Sequence, residues 1–288
     1  MDGEGKERRQ RSRSEVGNGT EKLTEPVQAQ TVAPALRLRG VGRRFGGLYA
    51  VRDVDLDVAP GERRAILGPN GAGKTTLFNV VAGDMPPSSG RIEIFGSDVS
   101  KEPARARAKL GLARSYQQSR LFLGLTVEDC VYLSIIGVQG GRLRPVLLPR
   151  KDAELRDRAR AAARRVAIDG KLGELVGSLS HGEHRQVALA MALAAEPRLL
   201  MLDEPASGLS RGERTLLTDL LLALDRDITL ILIEHDMDVA LGVAERVTMM
   251  YEGHVVVDGT PAEIRGNELV HELYLGSRFS EEAEDGHG

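Results

Sequence analysis

Gly68-Pro69-Asn70-Gly71-Ala72-Gly73-Lys74-Thr75-Thr76 fits the pattern G-x-x-x-x-G-K-[ST]. It lies between the apolar run Ala65-Ile66-Leu67 and a segment whose apolar residues Leu77, Phe78, Val80 and Val81 have helical spacing. Strand, loop and helix in that order are the setting in which the pattern has physical meaning. Glycines at 68, 71 and 73 let the backbone adopt positive φ and approach an anion closely, so a row of N–H groups can cradle phosphates at a helix N-terminus. Lys74 adds charge against the β- and γ-phosphates, and Thr75 supplies a hydroxyl for Mg²⁺. The alternative is a Gly-rich turn that matches by chance. The flanking strand and helix patterns argue against it, and a nucleoside triphosphate site is the starting expectation.

Working outward, 288 residues with 41% apolar content are enough for a sizeable core. Aromatics make up only 3% and Trp is absent, so Leu, Val, Ile and Ala must do most of the packing. A formal net charge of -3 argues against a nucleic-acid surface, because such domains carry an excess of clustered Lys and Arg. Cys130 is the single cysteine, so no disulfide within the chain is possible. Its place in an apolar run predicts a small buried hydrophobe. The basic N-terminus lacks the apolar core of a secretory signal, and no segment approaches the ~18 apolar residues of a membrane span. Work at a membrane would therefore need a partner.

Residues 1–34 are polar and charged, and composition predicts a disordered tail. From Leu36 to Val58 alternating apolar residues predict antiparallel strands, closed by Pro60-Gly61. A buried strand at Arg64 to Leu67 precedes the phosphate loop, and Arg91 to Phe95 reads as a further alternating strand. Between Pro103 and Ala195 the period is helical. Asp152 with Arg156 and Glu154 with Arg158 have i, i+4 spacing, and the neighbouring arginines read either as a basic recognition surface or as a solvated face laced with ion pairs. Buried strands return at Leu199 to Leu202 and at Thr229 to Ile233, with helices at Glu213 to Leu224 and Met237 to Ala244. Val247 to Met250 and His254 to Val257 form a closing pair, and Ser280 to Gly288 an acidic tail. Strands alternating with helices imply a largely parallel α/β sheet. No internal repeat is visible, which gives one phosphate loop per chain.

The strand at Leu199 to Leu202 ends in Asp203-Glu204-Pro205. An acid at the C-terminal end of a buried parallel strand lands beside the phosphate loop, where Asp203 can hold Mg²⁺ through water. Glu204, pointing elsewhere, is then the group to polarise an attacking water.

From about Leu36 to Gly276 the chain resembles the ATP-binding subunits of ABC transporters, and the deciding segment is Leu179-Ser180-His181-Gly182-Glu183 before the helix Arg185 to Ala195. The resemblance implies a P-loop NTPase (RecA-like) core with an antiparallel β subdomain and a helical subdomain at about 118–197, within an ATPase domain spanning 35–278. It implies ATP and Mg²⁺ as ligands. It also implies that Ser180 and Gly182 cap the ATP of a second, head-to-tail subunit. Tyr116-Gln117-Gln118 resembles the loop whose glutamine senses Mg²⁺ and the attacking water; Gln117 takes that role, with Gln118 second. Ser207-Gly208-Leu209-Ser210 resembles the loop that crosses the dimer interface. His235, in Glu234-His235-Asp236, resembles the switch histidine at the γ-phosphate. Phe45 stands where an aromatic stacks on adenine, though packing within the antiparallel strands is a rival. The signature departs from the family where His181 replaces a glycine, Glu183 a glutamine, and Gln186 a frequent arginine.

Phe45-Gly46-Gly47-Leu48-Tyr49-Ala50-Val51, the Ser180-His181-Gly182-Glu183 variant and the ending Gly259-Thr260-Pro261-Ala262-Glu263-Ile264 with Tyr274-Leu275-Gly276 are similar to the ATPases of branched-chain amino acid and urea importers. Lipopolysaccharide-export ATPases share several of these features and are the alternative, as is an ABC ATPase that never meets a membrane. The importer resemblance implies integral membrane permeases, a second ATPase subunit and an external solute-binding protein as partners, and a place on the cytoplasmic face of the membrane. Leu121, Phe122, Leu123 and Leu125 read either as a groove for a membrane-subunit helix or as core of the helical subdomain. Only about a hundred residues separate Lys74 from Ser180, too few for the long coiled coil of chromosome-maintenance ATPases.

Overall fold

The computed structural model describes residues 33–115, 121–138 and 149–273. Two sheets organise them. The first is antiparallel, in the order β2-β1-β4-β5, from β1 (Leu36–Phe45), β2 (Leu48–Val58), β4 (Ser89–Ile94) and β5 (Ser97–Asp98). Its register places Leu36 opposite Val58 and Ile94, and Leu38 opposite Leu56 and Ile92. Alternation therefore sends one apolar set to one face, where all of these residues are buried.

The second sheet has the order β10-β9-β3-β8-β7-β6, from β3 (Arg63–Leu67), β6 (Leu112–Arg114), β7 (Leu199–Asp203), β8 (Thr229–Ile233), β9 (Arg246–Tyr251) and β10 (His254–Gly259). All pairs are parallel except β10 with β9. β3, β7 and β8 are buried at every residue, which is why they read as short continuous apolar runs. In the middle of the sheet, β3 and β7 both pair with β8. Their C-terminal ends therefore lie side by side.

The helices are α1 (Lys74–Ala82), α2 (Ala104–Lys109), α3 (Val127–Val138), α4 (Pro149–Arg165), α5 (His181–Ala194), α6 (Arg211–Leu222), α7 (Met237–Val243) and α8 (Pro261–Arg265). α1 buries Leu77, Phe78, Val80 and Val81 in a core shared by both sheets, which fixes its N-terminus against β3. α3, α4 and α5 pack on one another around Val131, Ile135, Leu155, Ala159, Val187 and Ala190. Cys130 lies within that core, fully buried.

Three features differ from the sequence reading. The stretch from Pro103 to Ala195 is not helical throughout, because Leu112–Arg114 forms β6 at the sheet edge beside β7, too short a run to show a strand period. β3 begins one residue earlier, and Arg63 and Arg64 are only 4% and 3% exposed. Arg63 donates to the carbonyls of Leu222 and Leu224 at the C-terminal end of α6, and Arg64 to Glu62, Thr248 and Asp258, so neither charge is buried without partners. On α4, Arg156 does pair with Asp152 at i, i+4, yet it also reaches Glu128 and Asp129 on α3, and Arg158 pairs with Glu196. The basic face is thus laced with ion pairs, and many of them join elements that are distant in sequence.

Candidate active site

Leu67 passes directly into the loop Gly68–Gly73, and the chain enters α1 at Lys74. Gly73 is the N-cap, with φ 96°. A Cβ there would lie 2.2 Å from the Ala50 carbonyl oxygen, so the position requires glycine for space as well as conformation. Ala72 accepts from the Gly253 N–H at 3.0 Å, which ties the loop to the β9–β10 turn. Lys74 is buried, and its Nζ donates to the carbonyls of Gly68 and Pro69 at 2.7 and 3.0 Å. The ammonium is thereby folded across its own loop, and burial depresses its pKa against the opposing pull of Glu204 and Asp203. Asn70 and Thr75 are exposed, Pro69 and Thr76 half-buried.

Asp203 is the last residue of β7, beside β8. It is 5% exposed, and its Oδ1 has no hydrogen-bond partner. Burial first, then the charge of Glu204, pushes its pKa up to about 6; Lys74 and Arg114 pull the other way. Glu204 leaves the strand at φ 46°, a left-handed conformation that costs a non-glycine residue about 1 kcal/mol or more. Its N–H still donates to Ile233 O at 2.9 Å, so the turn begins where the ladder ends. Just past β8, the His235 Nδ1 stands 3.9 Å from Glu204 Oε2. Its side chain is half exposed while Glu204 is largely buried.

The phosphate loop, Asp203, Glu204 and His235 therefore converge at the ends of β3, β7 and β8. The convergence places N–H donors and a lysine where phosphates can sit, a bare carboxylate oxygen where a divalent cation can bind, and a second carboxylate within reach of water. Ser180 and Gly182 have other surroundings. Ser180 caps α5: its Oγ accepts from Glu183 N at 3.3 Å and its N–H donates to Glu183 Oε2 at 2.8 Å. Glu183 also pairs with Lys171 at 2.8 Å. The glutamate is a capping-box partner, and S-x-x-E was the readable signal for it. Gly182 lies under Glu213, whose oxygen would be 2.2 Å from an added Cβ. Ser180, Gly182, Glu183, Leu209 and Glu213 border a cleft of about 240 Å³ between α5 and α6. His181 points its Nε2 at Ser207 O, 3.4 Å away.

Phe45 ends β1 with 44% of its surface exposed, stacked on one side by the Arg43 guanidinium at 4.8 Å; the ring is not packed within the strands. Gln117, with Tyr116 and Gln118, lies outside the described residues. Leu121 and Leu125 pack partly on the helical core, whereas Phe122 and Leu123 are 54% and 58% exposed, so the four leucine-rich positions divide between the two readings. Leu121 also lines a cavity of about 450 Å³ with Ala104, Arg105, Ala113, Ser134 and Met191. Sequence reasoning missed Arg114, which ends β6, pairs with Asp84, donates to Asn79 at 3.3 Å and acts electrostatically on Asp203. No motif marks it; only strand order brings it there.

The family described as ABC transporter matches residues 51–207. The chain is 34% identical over 250 residues to the high-affinity branched-chain amino acid transport ATP-binding protein LivG of Escherichia coli, covering 84% of this chain and 98% of that one. It is 36% identical over 248 residues to the lipopolysaccharide export system ATP-binding protein LptB of the same organism, covering 85% and 98%. Among solved structures, cbiO1 from Clostridium perfringens, part of the ABC transporter complex cbiONQ, superposes with a TM-score of 0.71 at 28% identity, covering 86% of this chain and 99% of that one. An ATP-binding cassette of an ABC transporter in its ADP conformation shares the fold, with a TM-score of 0.74 at 24% identity and coverage of 84% and 99%. Similarity of this extent, spanning the phosphate loop, Asp203 and Glu204, means that the chain belongs to the ABC transporter family, as an ATP-binding ATPase.

Proposed function

We propose that this chain powers transport of a small solute, in the class of branched-chain amino acids, by closing with a second ATPase subunit around two ATP molecules. The observation that carries the reading is the convergence of Lys74, Asp203, Glu204 and His235 beside one phosphate loop, with Ser180 and Gly182 set apart on α5. One chain then supplies two halves of different pockets. The loop Gly68–Thr76 and Lys74 hold the phosphates, and Phe45 stacks its free face on adenine. Ser180 and Gly182 offer donors to the γ-phosphate held by the partner. Glu204 orients and deprotonates the attacking water, and His235 contacts the γ-phosphate.

Mg²⁺ fits the residues present, because Asp203 Oδ1 is buried and unpartnered while Thr75 presents a hydroxyl at the mouth of the loop. Among the described residues no group of three or more His, Cys, Asp or Glu side chains converges, and none is needed, since Mg²⁺ takes one or two protein oxygens plus phosphates. Asp203, Thr75 and Gln117 would hold it. When bound it neutralises phosphate charge.

No described helix is long and apolar enough to cross a membrane. We assign the chain to the cytoplasmic face of the membrane, where the apolar cavity beside Leu121 receives a helix of an integral permease, with a solute-binding protein on the far side. The ATPase domain spans 35–278, with its helical subdomain at about 118–197 and polar tails at 1–34 and 279–288. A lipopolysaccharide-export role is the second reading, favoured by the 36% identity to LptB. Leucine uptake by the assembled transporter, lost in Lys74→Ala, decides between the two.

The shared pocket is tested by mixing Lys74→Ala with Ser180→Ala chains. Each alone is inactive, whereas a mixed pair holds one intact pocket, so an equal mixture regains about a quarter of wild-type sites. A mixture no more active than its parts refutes the arrangement.

A further inference from the structure

We propose that Glu234 is a positioning residue: its buried carboxylate fixes the loop that carries Glu204 against the strand end that carries His235, and links both to α5. The inference rests on the roles given above to Glu204 and His235. Glu234 follows β8 directly and is fully buried. Its Oε1 accepts from the Ala206 N–H at 2.8 Å, and its Oε2 from the His235 N–H at 3.3 Å.

The loop after β7 needs this acceptor. Its ladder ends with the bond from Glu204 N to Ile233 O, and Pro205 has no N–H to continue it. The next donor is the Ala206 N–H, on a residue 4% exposed, and without Glu234 it would be buried with nothing to bond. One carboxylate thus holds the backbone two residues beyond Glu204 and the backbone of His235 itself. The third link is Arg185, five residues after Ser180. It donates to Ser207 O at 3.3 Å, and its charge interacts with those of Glu234 and Glu204. A shift of α5 when Ser180 engages a partner's nucleotide is therefore transmitted, through Arg185 and Glu234, to the Glu204–His235 pair of the same chain. Burial alone does not call for an acid here, because an apolar side chain would fill the space at less cost.

The test uses the full chain with Mg²⁺ and ATP, comparing wild type, Glu234→Ala and Glu234→Gln, with Glu204→Gln in parallel. In Glu234→Ala, kcat should fall about tenfold or more through misplacement of the reacting groups, while affinity for a fluorescent ATP analogue stays within about twofold. Amide hydrogen exchange should quicken in the segments 204–210 and 235–239. Glu234→Gln keeps an oxygen for Ala206 but turns its amide donor toward the His235 N–H, so its kcat should fall between the two. The proposal is overturned by a folded Glu234→Ala chain with wild-type kcat, by a loss in nucleotide affinity of the same size as the loss in kcat, or by unchanged exchange in those segments. If Glu234→Ala does not fold, Glu234→Gln decides: reduced kcat at unchanged affinity supports the proposal, and wild-type kcat overturns it. Wild-type turnover in Glu204→Gln would instead overturn the role of Glu204.

Discussion

Replacing Asp203 by asparagine should make the nucleotide-free protein more stable, although it removes the carboxylate proposed above to hold Mg²⁺. Asp203 is 5% exposed, its Oδ1 has no partner, and burial reinforced by Glu204 raises its pKa from 3.8 to about 6. The native state therefore binds the proton more tightly than the unfolded chain. The contribution of Asp203 to stability is most favourable below the unfolded pKa, falls as pH rises through the window from 3.8 to about 6, and carries the full cost above it. That interval corresponds to about 3 kcal/mol, and screening at the mouth of the site leaves a working range of about 1–3 kcal/mol. Asparagine is nearly isosteric and uncharged. At pH 7.5, with EDTA and no nucleotide, Asp203→Asn should melt several degrees higher, at about 2–4 °C per kcal/mol for a chain of this size. At pH 5 the wild-type carboxyl is mostly protonated and the advantage should shrink. Adding Mg²⁺ and ATP at about 100 times the dissociation constant should raise the wild type by about 2.7 kcal/mol and leave the variant behind. A variant that melts no higher than wild type at pH 7.5, or that gains as much at pH 5, would refute the claim that the buried charge of Asp203 is held against its own solvation.

Two substitutions in the phosphate loop should behave differently although both glycines have positive φ. Gly73→Ala drives a Cβ to 2.2 Å from the Ala50 carbonyl oxygen and should cost about 2 kcal/mol or more and abolish nucleotide binding, whereas Gly71, with nothing within 4 Å, should tolerate alanine at about 1 kcal/mol. Thermal melts with fluorescent-nucleotide titration check both, and equal losses would refute the steric argument. His181 places its Nε2 3.4 Å from Ser207 O and beside Gly208, against the loop that follows Glu204. ATP turnover of His181→Gly should therefore differ from wild type at unchanged nucleotide affinity. Identical turnover would remove that role.

What the sequence revealed and what it hid divide along the range of the interactions. The phosphate loop, the strands ending at Leu67, Asp203 and Ile233, and the α1 face through Leu77, Phe78, Val80 and Val81 are written in windows of five to ten residues, and they fold as read. The three capping boxes at Ser180/Glu183, Ser210/Glu213 and Thr260/Glu263 are equally local and were legible as S/T-x-x-E, yet Glu183 was read only as a departure from a family pattern. Arg114 and Glu234 belong to a different category. Their partners, Asp84, Asn79 and Ala206, are 28 to 35 residues away, and only the strand order brings them together. Arg63 and Arg64 likewise resemble the polar lead-in to a strand until α6, β9 and β10 close over them.

The same division separates the charges gathered at the site. The residues that motifs reveal include two acids side by side, Asp203 and Glu204, next to one buried lysine whose own pKa is lowered by burial. The long-range residues rebalance them: Arg114 opposes the rise in the Asp203 pKa, and the charge of Arg185 interacts with those of Glu234 and Glu204. Arg185 lies on the helix that Ser180 caps, so the cation that steadies the acids is mounted on the element that presents Ser180 outward. Because the charge of Arg185 interacts with that of Glu204, movement of α5 would alter the field at Glu204. In the proposed two-subunit arrangement, coupling between the pockets would run through this charge, and conservative loss of it in Arg185→Gln should weaken the dependence of turnover on ATP occupancy at the second pocket before it weakens ATP binding at the first.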